Sequence, residues 1–350
     1  MTMLATGCLG VRAAPPGATP TASPALTVYG WAGYMPQSIL DDFTAEFGVP
    51  VTYLEFAGYR QALAEIRAGQ VYDVVVLSND GVASASAENL LAPLDPAAVP
   101  NTKNLSPNFR DLVYDPGNHY SVPFQWGTTG LLVRTDLVAG PVDSWTALWD
   151  PAYAGRVAIW DMPRDVIGMT LKSLGYSLNS EDPAELEAAA ARLAELQGRV
   201  LILDSTVATL APELVSGRIV LAMGWGYDYL AAREEVETVD YVLPREGTLL
   251  WVDHLTIPAN SPHREQAQQF INFILRPEIS ARMVNELAVA TPNELARPYI
   301  DPALLANPGV YPPLEALEHA ELFLPLNAAT LERYDQIWQQ FRSAGATVAP

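Results

Sequence analysis

From residue 26 onward the apolar positions fall into two alternating periods. "LTVYGW" (26–31) is a short apolar run that predicts a strand. In "PQSILDDFTAEFG" Ile39, Leu40, Phe43 and Phe47 recur at helical spacing, with Gly48 as a stop signal. "VPVTYLEF" predicts a second strand, and "YRQALAEIRAGQ" a second helix with Leu63 and Ile66 on one face. "YDVVVLSND" reads as a third strand, apolar throughout as in a sheet covered on both faces. Strand, helix, strand, helix, strand predicts an α/β fold with a largely parallel sheet. Ligands on such sheets bind at the carboxyl ends of the strands, where Trp31 and Ser78 stand.

"YSVPFQWGTTGLLVRTDL" (120–137) breaks the rhythm and reads as a crossing between lobes. "RVAIWD" (156–161) starts a second α/β unit. It continues through a helix in "PAELEAAAARLAELQGR", a strand near "RVLILD" and another at "RIVLAMGW". In "LLWVDHLTIPAN" (249–260) the pattern itself carries chemistry. Strand alternation sets Trp251 and Asp253 on one face, an aromatic plate beside a carboxylate, which suits a cation. Two amphipathic helices follow, "REQAQQFINFILRP" and "TLERYDQIWQQFRSAG".

A length of 350 residues favours two domains, and 49% hydrophobic residues suffice for a sizeable core. No apolar run reaches the roughly 18 residues of a membrane-spanning helix. With 40 acidic and 20 basic residues the formal net charge is −20. That argues against nucleic acid as partner, since phosphate binding needs a basic patch, and it is compatible with a cationic ligand. The single cysteine, Cys8, rules out an internal disulfide and any multi-cysteine metal site.

"LATGCLG" resembles a bacterial lipobox, in which small residues precede a cysteine that becomes acylated. Here only seven residues precede Cys8, fewer than a full signal peptide. "VRAAPPGATPTASPA" follows, a Pro/Ala/Thr-rich flexible spacer. Together they predict an extracytoplasmic protein tethered through Cys8, against the plainer reading of a disordered tail.

Enzyme signatures are missing. The chain has no P-loop, no G-x-G-x-x-G and no G-x-S-x-G. His119, His254, His263 and His319 show no metal-ligand spacing and are expected to be structural or exposed. Trp126, Trp145, Trp149 and Trp160 are expected to pack in the core. No catalytic activity, metal or cofactor is expected.

Several phrases in order then carry a resemblance: "YGWAGYMPQSILDDF", "YDVVVLSND", "YSVPFQWGTTGLLV", "SWTALWDPAYAGRVAIWD", "LAMGWGYDY", "EGTLLWVDHLTIPAN" and "ATPNELAR". Over about residues 26–345 the chain resembles the bacterial solute-binding proteins for spermidine and putrescine, which deliver ligand to ATP-driven importers. The resemblance implies a two-lobed periplasmic-binding-protein type II fold with a ligand cleft between the lobes. One lobe would be 26–128 plus 254–298, the other 129–253 plus 299–345, after a signal remnant and linker at 1–25. It also implies a monomer that docks on membrane permease subunits.

The resemblance further implies ligand contacts for Trp31 and Tyr34 after the first strand, Ser78 at the end of the third, Asp165 after Arg164, and Trp225. Asp228 matches an aspartate of putrescine-binding members, and Trp251 and Asp253 match the W-x-D of the crossing strand. Asp80 stands where the family often has an aromatic residue and is a candidate extra carboxylate. Asp165 and Asp228 also fit helix N-caps, and Trp31 with Tyr34 a hydrophobic staple. The chain departs from spermidine-binding members at Met162, Val289 and Leu324, and with Ala32-Gly33 after the first Trp.

These residue types suit a polyamine, which alternates charge and hydrocarbon. Each buried ammonium costs several kcal/mol unless paired with a carboxylate. Trp faces attract cations by about 0.5–2 kcal/mol, and each buried methylene adds about 0.8 kcal/mol. A binder of another cationic or small organic solute, a polyamine sensor module, and an enzyme on the same fold are the rival readings. An enzyme of the cysteine-dependent, thiamine-degrading type is disfavoured because the folded body has no cysteine.

Overall fold

A computed structural model describes residues 25–204, 209–343 and 347–349. Cys8 and its spacer lie outside them. The strands are β1 (Leu26–Trp31), β2 (Val51–Phe56), β3 (Val74–Ser78), β4 (Ser121–Arg134), β5 (Val157–Trp160), β6 (Val200–Leu203), β7 (Leu221–Trp225), β8 (Val239–Val242), β9 (Leu250–Thr256) and β10 (Thr347–Ala349). Among the described residues they run in the order β10-β6-β5-β7-β4-β9-β3-β1-β2, with β8 on β4. The helices are α1 (Gln37–Phe47), α2 (Tyr59–Arg67), α3 (Asn79–Ala87), α4 (Pro163–Ser173), α5 (Pro183–Ala194), α6 (Ala211–Val215), α7 (Gly226–Arg233), α8 (Arg264–Ile274), α9 (Pro277–Leu287), α10 (Pro302–Leu305) and α11 (Ala328–Ser343).

The fold is α/β and two-lobed, as expected. The sheet is mixed rather than largely parallel. β1 pairs in parallel with β2 and β3, and β5 with β6 and β7, but β4 and β9 run antiparallel to their neighbours. The stretch expected to cross between lobes is β4, buried along its whole length. Its first half, Ser121–Thr128, pairs with β9, and its second, Thr129–Val133, with β7. One strand is thus shared by both halves of the molecule, and each half has its own core. One core gathers Leu131, Trp145, Trp160, Met223 and Tyr334. Another gathers Leu26, Phe43, Val76, Phe270 and Phe273.

The pattern of apolar positions explains the first helix. Ile39, Leu40 and Phe43 are buried, and Gly48 closes α1 in the left-handed conformation, φ 67°. Four helices differ from the sequence reading. The residues after Ser78 open α3 instead of extending the strand. "PRD" is the first turn of α4, with Pro163 at N1 and Asp165 at N3, where a carboxylate favours the helix dipole. α7 starts directly after Trp225. Pro277 ends one helix and starts another, α9. At α3 and α7 a β-strand hands over to a helix with no residue between them, and two residues separate β5 from α4 and α8 from α9.

Trp126, Trp145, Trp149 and Trp160 are all buried. Trp145 and Trp149 donate Nε1–H to the Gly247 and Arg192 carbonyls, each at 2.8 Å. His254 is fully buried against the Tyr114 hydroxyl at 3.1 Å, and burial pushes its pKa down to about 3, so it is neutral.

Candidate functional site

A cavity of about 330 Å³ opens between the two halves of the sheet. Strand ends supply its first wall. β1 ends at Trp31 and β3 at Ser78, and β9 lies antiparallel to β3 with Asp253 opposite Ser78. The start of α4 and the end of β7 supply the second wall. The sheet therefore delivers side chains from distant parts of the chain to one space at its strand ends, as the α/β pattern predicted.

Of the expected residues, Trp31, Tyr34, Ser78, Asp80, Asp165, Trp225, Trp251 and Asp253 line this cavity together. Asp228 does not. It sits at N3 of α7, and its carboxylate accepts the Trp225 N–H at 3.3 Å. Asp228 is not the N-cap either, which is Trp225; from N3 its carboxylate fixes the turn carrying Trp225. Met162 lines the cavity. Val289 lies instead beside a small space beyond Trp251 and Tyr227. Leu324 contributes its backbone carbonyl, which accepts from Arg164.

Aromatic rings form much of the wall. Trp160 stacks on Trp225 (5.1 Å, 20°), and Trp225 on Tyr227 (5.6 Å, 22°). The core Trp160 thus backs a three-ring stack whose last two members reach the cavity. Opposite, Trp31 packs edge-on against Phe56 at 4.8 Å. Trp251 lies over Gly127, where a Cβ would stand 2.3 Å from its ring. Glycine is thus required at that point of β4 for the Trp251 plate to lie flat.

The carboxylates differ in their partners. Asp253 is buried, with the Tyr34 and Trp31 side chains hydrogen-bonding to it. Burial pushes its pKa up to about 7, and those hydrogen bonds pull the other way. Burial likewise raises Asp165 to about 7, with the neighbouring Asp80 charge adding to the rise. Asp80 accepts from the Tyr59 hydroxyl (2.5 Å), the Ser78 hydroxyl (2.7 Å) and Arg164 Nη1 (2.8 Å). Arg164 also donates to Asn179 at 3.2 Å and lies over the Phe323 ring at 4.3 Å. Asn79 Nδ2 donates to the Phe323 carbonyl. The Asp80–Arg164 and Asn79–Phe323 contacts join the two walls across the cavity.

Sequence reasoning missed Arg164, Tyr59, Tyr227, Asn79 and Phe323. Arg164 had appeared only as the residue before Asp165, yet an arginine beside a candidate carboxylate was signal enough to ask what it pairs with. Tyr227 stands in "GWGYDY", next to two residues that were singled out.

A two-lobed α/β body with a cleft of aromatic rings and carboxylates, and a shared strand between its halves, defines a ligand-binding protein that encloses a small solute. Comparison with known proteins agrees. The family model described as bacterial extracellular solute-binding protein matches residues 38–309, and the chain belongs to that family. It is 33% identical over 321 residues to the spermidine/putrescine-binding periplasmic protein of Escherichia coli (strain K12), covering 91% of each chain. It is 30% identical over 341 residues to the putrescine-binding periplasmic protein SpuD of Pseudomonas aeruginosa, covering 91% of this chain and 92% of that one. Among solved structures, a putative spermidine/putrescine ABC transporter protein from Listeria monocytogenes superposes with a TM-score of 0.85 at 31% identity. That match covers 91% of this chain and 98% of the other.

Proposed function

We propose that this protein binds a polyamine outside the cytoplasm and delivers it to the permease of an ATP-driven importer. The observation that carries this reading is a pair of buried carboxylates, Asp253 and Asp165, set among aromatic rings in the cleft with no ion-pair partner among the described residues. Each ammonium needs an anion once water is excluded, and each methylene run needs an apolar surface. Asp253 with Trp31, Tyr34 and Trp251 would hold one end. Asp165 with Trp225 and Tyr227 would hold the other. Ser78 and Asp80 belong to the same wall but act through Arg164, and Asp228 acts by holding Trp225. The relatives' names, spermidine/putrescine-binding and putrescine-binding, support the ligand class.

The lobes divide at 128/129, 253/254 and 298/299. The switch of β4 from β9 to β7 between Thr128 and Thr129 supports this division. Cys8 is the proposed site of lipid attachment, supported by the small residues before it and the Pro/Ala/Thr-rich spacer after it. The protein acts as a monomer and performs no catalysis.

Titration calorimetry of the full chain, freed of co-purified amine, tests the proposal. The ligands are putrescine, cadaverine, spermidine and spermine, beside amino acids and thiamine. Micromolar or tighter binding to at least one polyamine is expected. A folded protein silent to all four overturns it. A second reading, a different cationic solute, is favoured by Met162 on the cleft wall. It predicts that silence together with binding of another cation.

A further inference from the structure

Charge within the cleft is more specific than the class of ligand. Its lining carries four carboxylates, Asp80, Asp161, Asp165 and Asp253, against two guanidiniums, Arg60 and Arg164. Most are already matched. Asp80 pairs with Arg164 at 2.8 Å, with both side chains buried. Asp161 pairs with Arg342 at 2.8 Å and accepts the Trp338 indole N–H at 2.9 Å. Arg60 pairs with Asp335 at 3.5 Å. The surplus is two negative charges, and Asp165 and Asp253 carry it.

Asp80, the candidate extra carboxylate of the sequence, is already occupied. Its oxygens already take three donors, from Tyr59, Ser78 and Arg164. A carboxylate offers about four acceptor sites, so little remains for a further ammonium. The guanidinium is fixed in turn by Asn179, by the Leu324 carbonyl and by the Phe323 ring. It therefore stays in place as a positive charge in the wall. A third ammonium there would meet a closed ion pair, with no free anion to offset its loss of water. Met162 adds no charge to the lining.

We infer that the Asp80–Arg164 pair leaves the cleft with two free carboxylates and makes the protein a diamine binder that rejects triamines and tetramines. The inference rests on the polyamine reading and narrows it. The pair is a specificity element. It acts by removing an anion from the ligand's reach.

The test is calorimetry on the full chain with putrescine, cadaverine, spermidine and spermine. Putrescine or cadaverine is expected to bind at least tenfold tighter than spermidine, and spermine weakest of all. Arg164→Met frees Asp80 for an amine and should shift the spermidine-to-putrescine ratio at least tenfold toward spermidine. Asp80→Asn keeps the cation and removes its partner, and should shift that ratio further toward putrescine. A pair with only a structural role would weaken all amines alike in both variants. Wild-type protein that binds spermidine as well as or better than the diamines overturns the inference and leaves the polyamine reading standing, and this arm holds even if neither variant folds. Silence to every amine overturns both.

Discussion

The Asp253 site and the Asp80 site use similar parts to opposite effect. Both place a buried aspartate at the end of the first wall, and both hold it with hydroxyl or indole donors. At Asp253 every donor is neutral, so the charge has no counter-ion and burial raises the carboxyl to about 7. At Asp80 one donor is the Arg164 guanidinium, reaching from the opposite wall. The difference shows that burial alone does not mark a ligand carboxylate; what already faces it decides. An aspartate with neutral partners is poised for a cation that arrives later. One with a fixed arginine has its cation built in and joins two walls together.

The strongest way to break this comparison is to truncate each aspartate. Asp253→Ala should weaken amine binding by about a thousandfold, on the order of 4 kcal/mol, since removing one partner of a buried charge pair costs about 2–5 kcal/mol. The amine-free variant should melt higher than wild type at pH 8, because a buried charge without a counter-ion has been removed. Asp80→Ala should do the reverse to stability. It strands a buried guanidinium and should cost about 3–5 kcal/mol of folding free energy. Calorimetry and thermal melting on the two variants give four numbers. If Asp253→Ala unfolds the protein and Asp80→Ala abolishes binding without loss of stability, the roles are reversed.

The next largest effect is that of pH. Asp165 and Asp253 both stand at about 7, with burial as the main cause. A dication needs both ionised, so acid competes with it. Affinity should fall about a hundredfold from pH 8 to pH 6, and proton release should be seen on binding near pH 7. Stability without amine runs the other way. An unfolded aspartate titrates near about 3.9. Between there and about 7 the folded chain holds protons at these groups that the unfolded chain has lost. Their contribution therefore destabilises the fold as pH rises through that window and is constant above it. Melting temperature should fall from pH 5 to pH 8 without amine, and saturating putrescine should restore it most at pH 8. A diamine affinity that is flat over this range would show that the two carboxylates are ionised before ligand arrives.

The parts of this site that were legible in sequence are those set by local period. Trp251 and Asp253 share a face because strand alternation puts them there, and both line the cleft. Trp31 and Ser78 end their strands where the α/β pattern placed strand ends. What was not legible depends on long-range pairing. Asp80 and Arg164 are 84 residues apart, and no periodicity couples them. Helix α3 was hidden because "NDGVASASA" is short of apolar residues and contains Gly81. The glycine is there for Tyr59, whose ring would lie 2.9 Å from a Cβ at that position, and Tyr59 in turn holds Asp80. The place of Asp228 was hidden for a related reason: its position in the chain matches a family pattern, and only the start of α7 turns its carboxylate to the Trp225 backbone N–H.

A moderate effect is expected from Gly127→Ala. The added Cβ would stand 2.3 Å from the Trp251 ring, so the ring must move. Losing that plate forfeits about 0.5–2 kcal/mol of cation–π attraction, together with part of the methylene contact. Amine affinity should fall about tenfold, against the thousandfold of Asp253→Ala. Indole fluorescence should report the displaced ring, and Leu in place of Trp251 should match the affinity loss. An unchanged affinity in Gly127→Ala would place the ligand away from Trp251, at the Asp165 end alone.

The smallest effect should come from Asp228→Asn, and that smallness is informative. Asparagine keeps an oxygen to accept the Trp225 N–H, so the turn that presents Trp225 survives. Burial raises the Asp228 carboxyl to about 7, chiefly by desolvation and against backbone N–H donors at Trp225 and Leu210. A neutral amide is therefore well suited to the site. Amine affinity should change less than threefold, and melting temperature at pH 8 should hold or rise. Asp228→Ala removes the acceptor as well and should cost about 1 kcal/mol, as loss of a helix-start hydrogen bond does. Should Asp228→Asn instead lose binding as heavily as Asp253→Ala, the Asp228 carboxylate would have to turn into the cleft when amine binds. The ligand's second ammonium would then sit at β7, not at the start of α4.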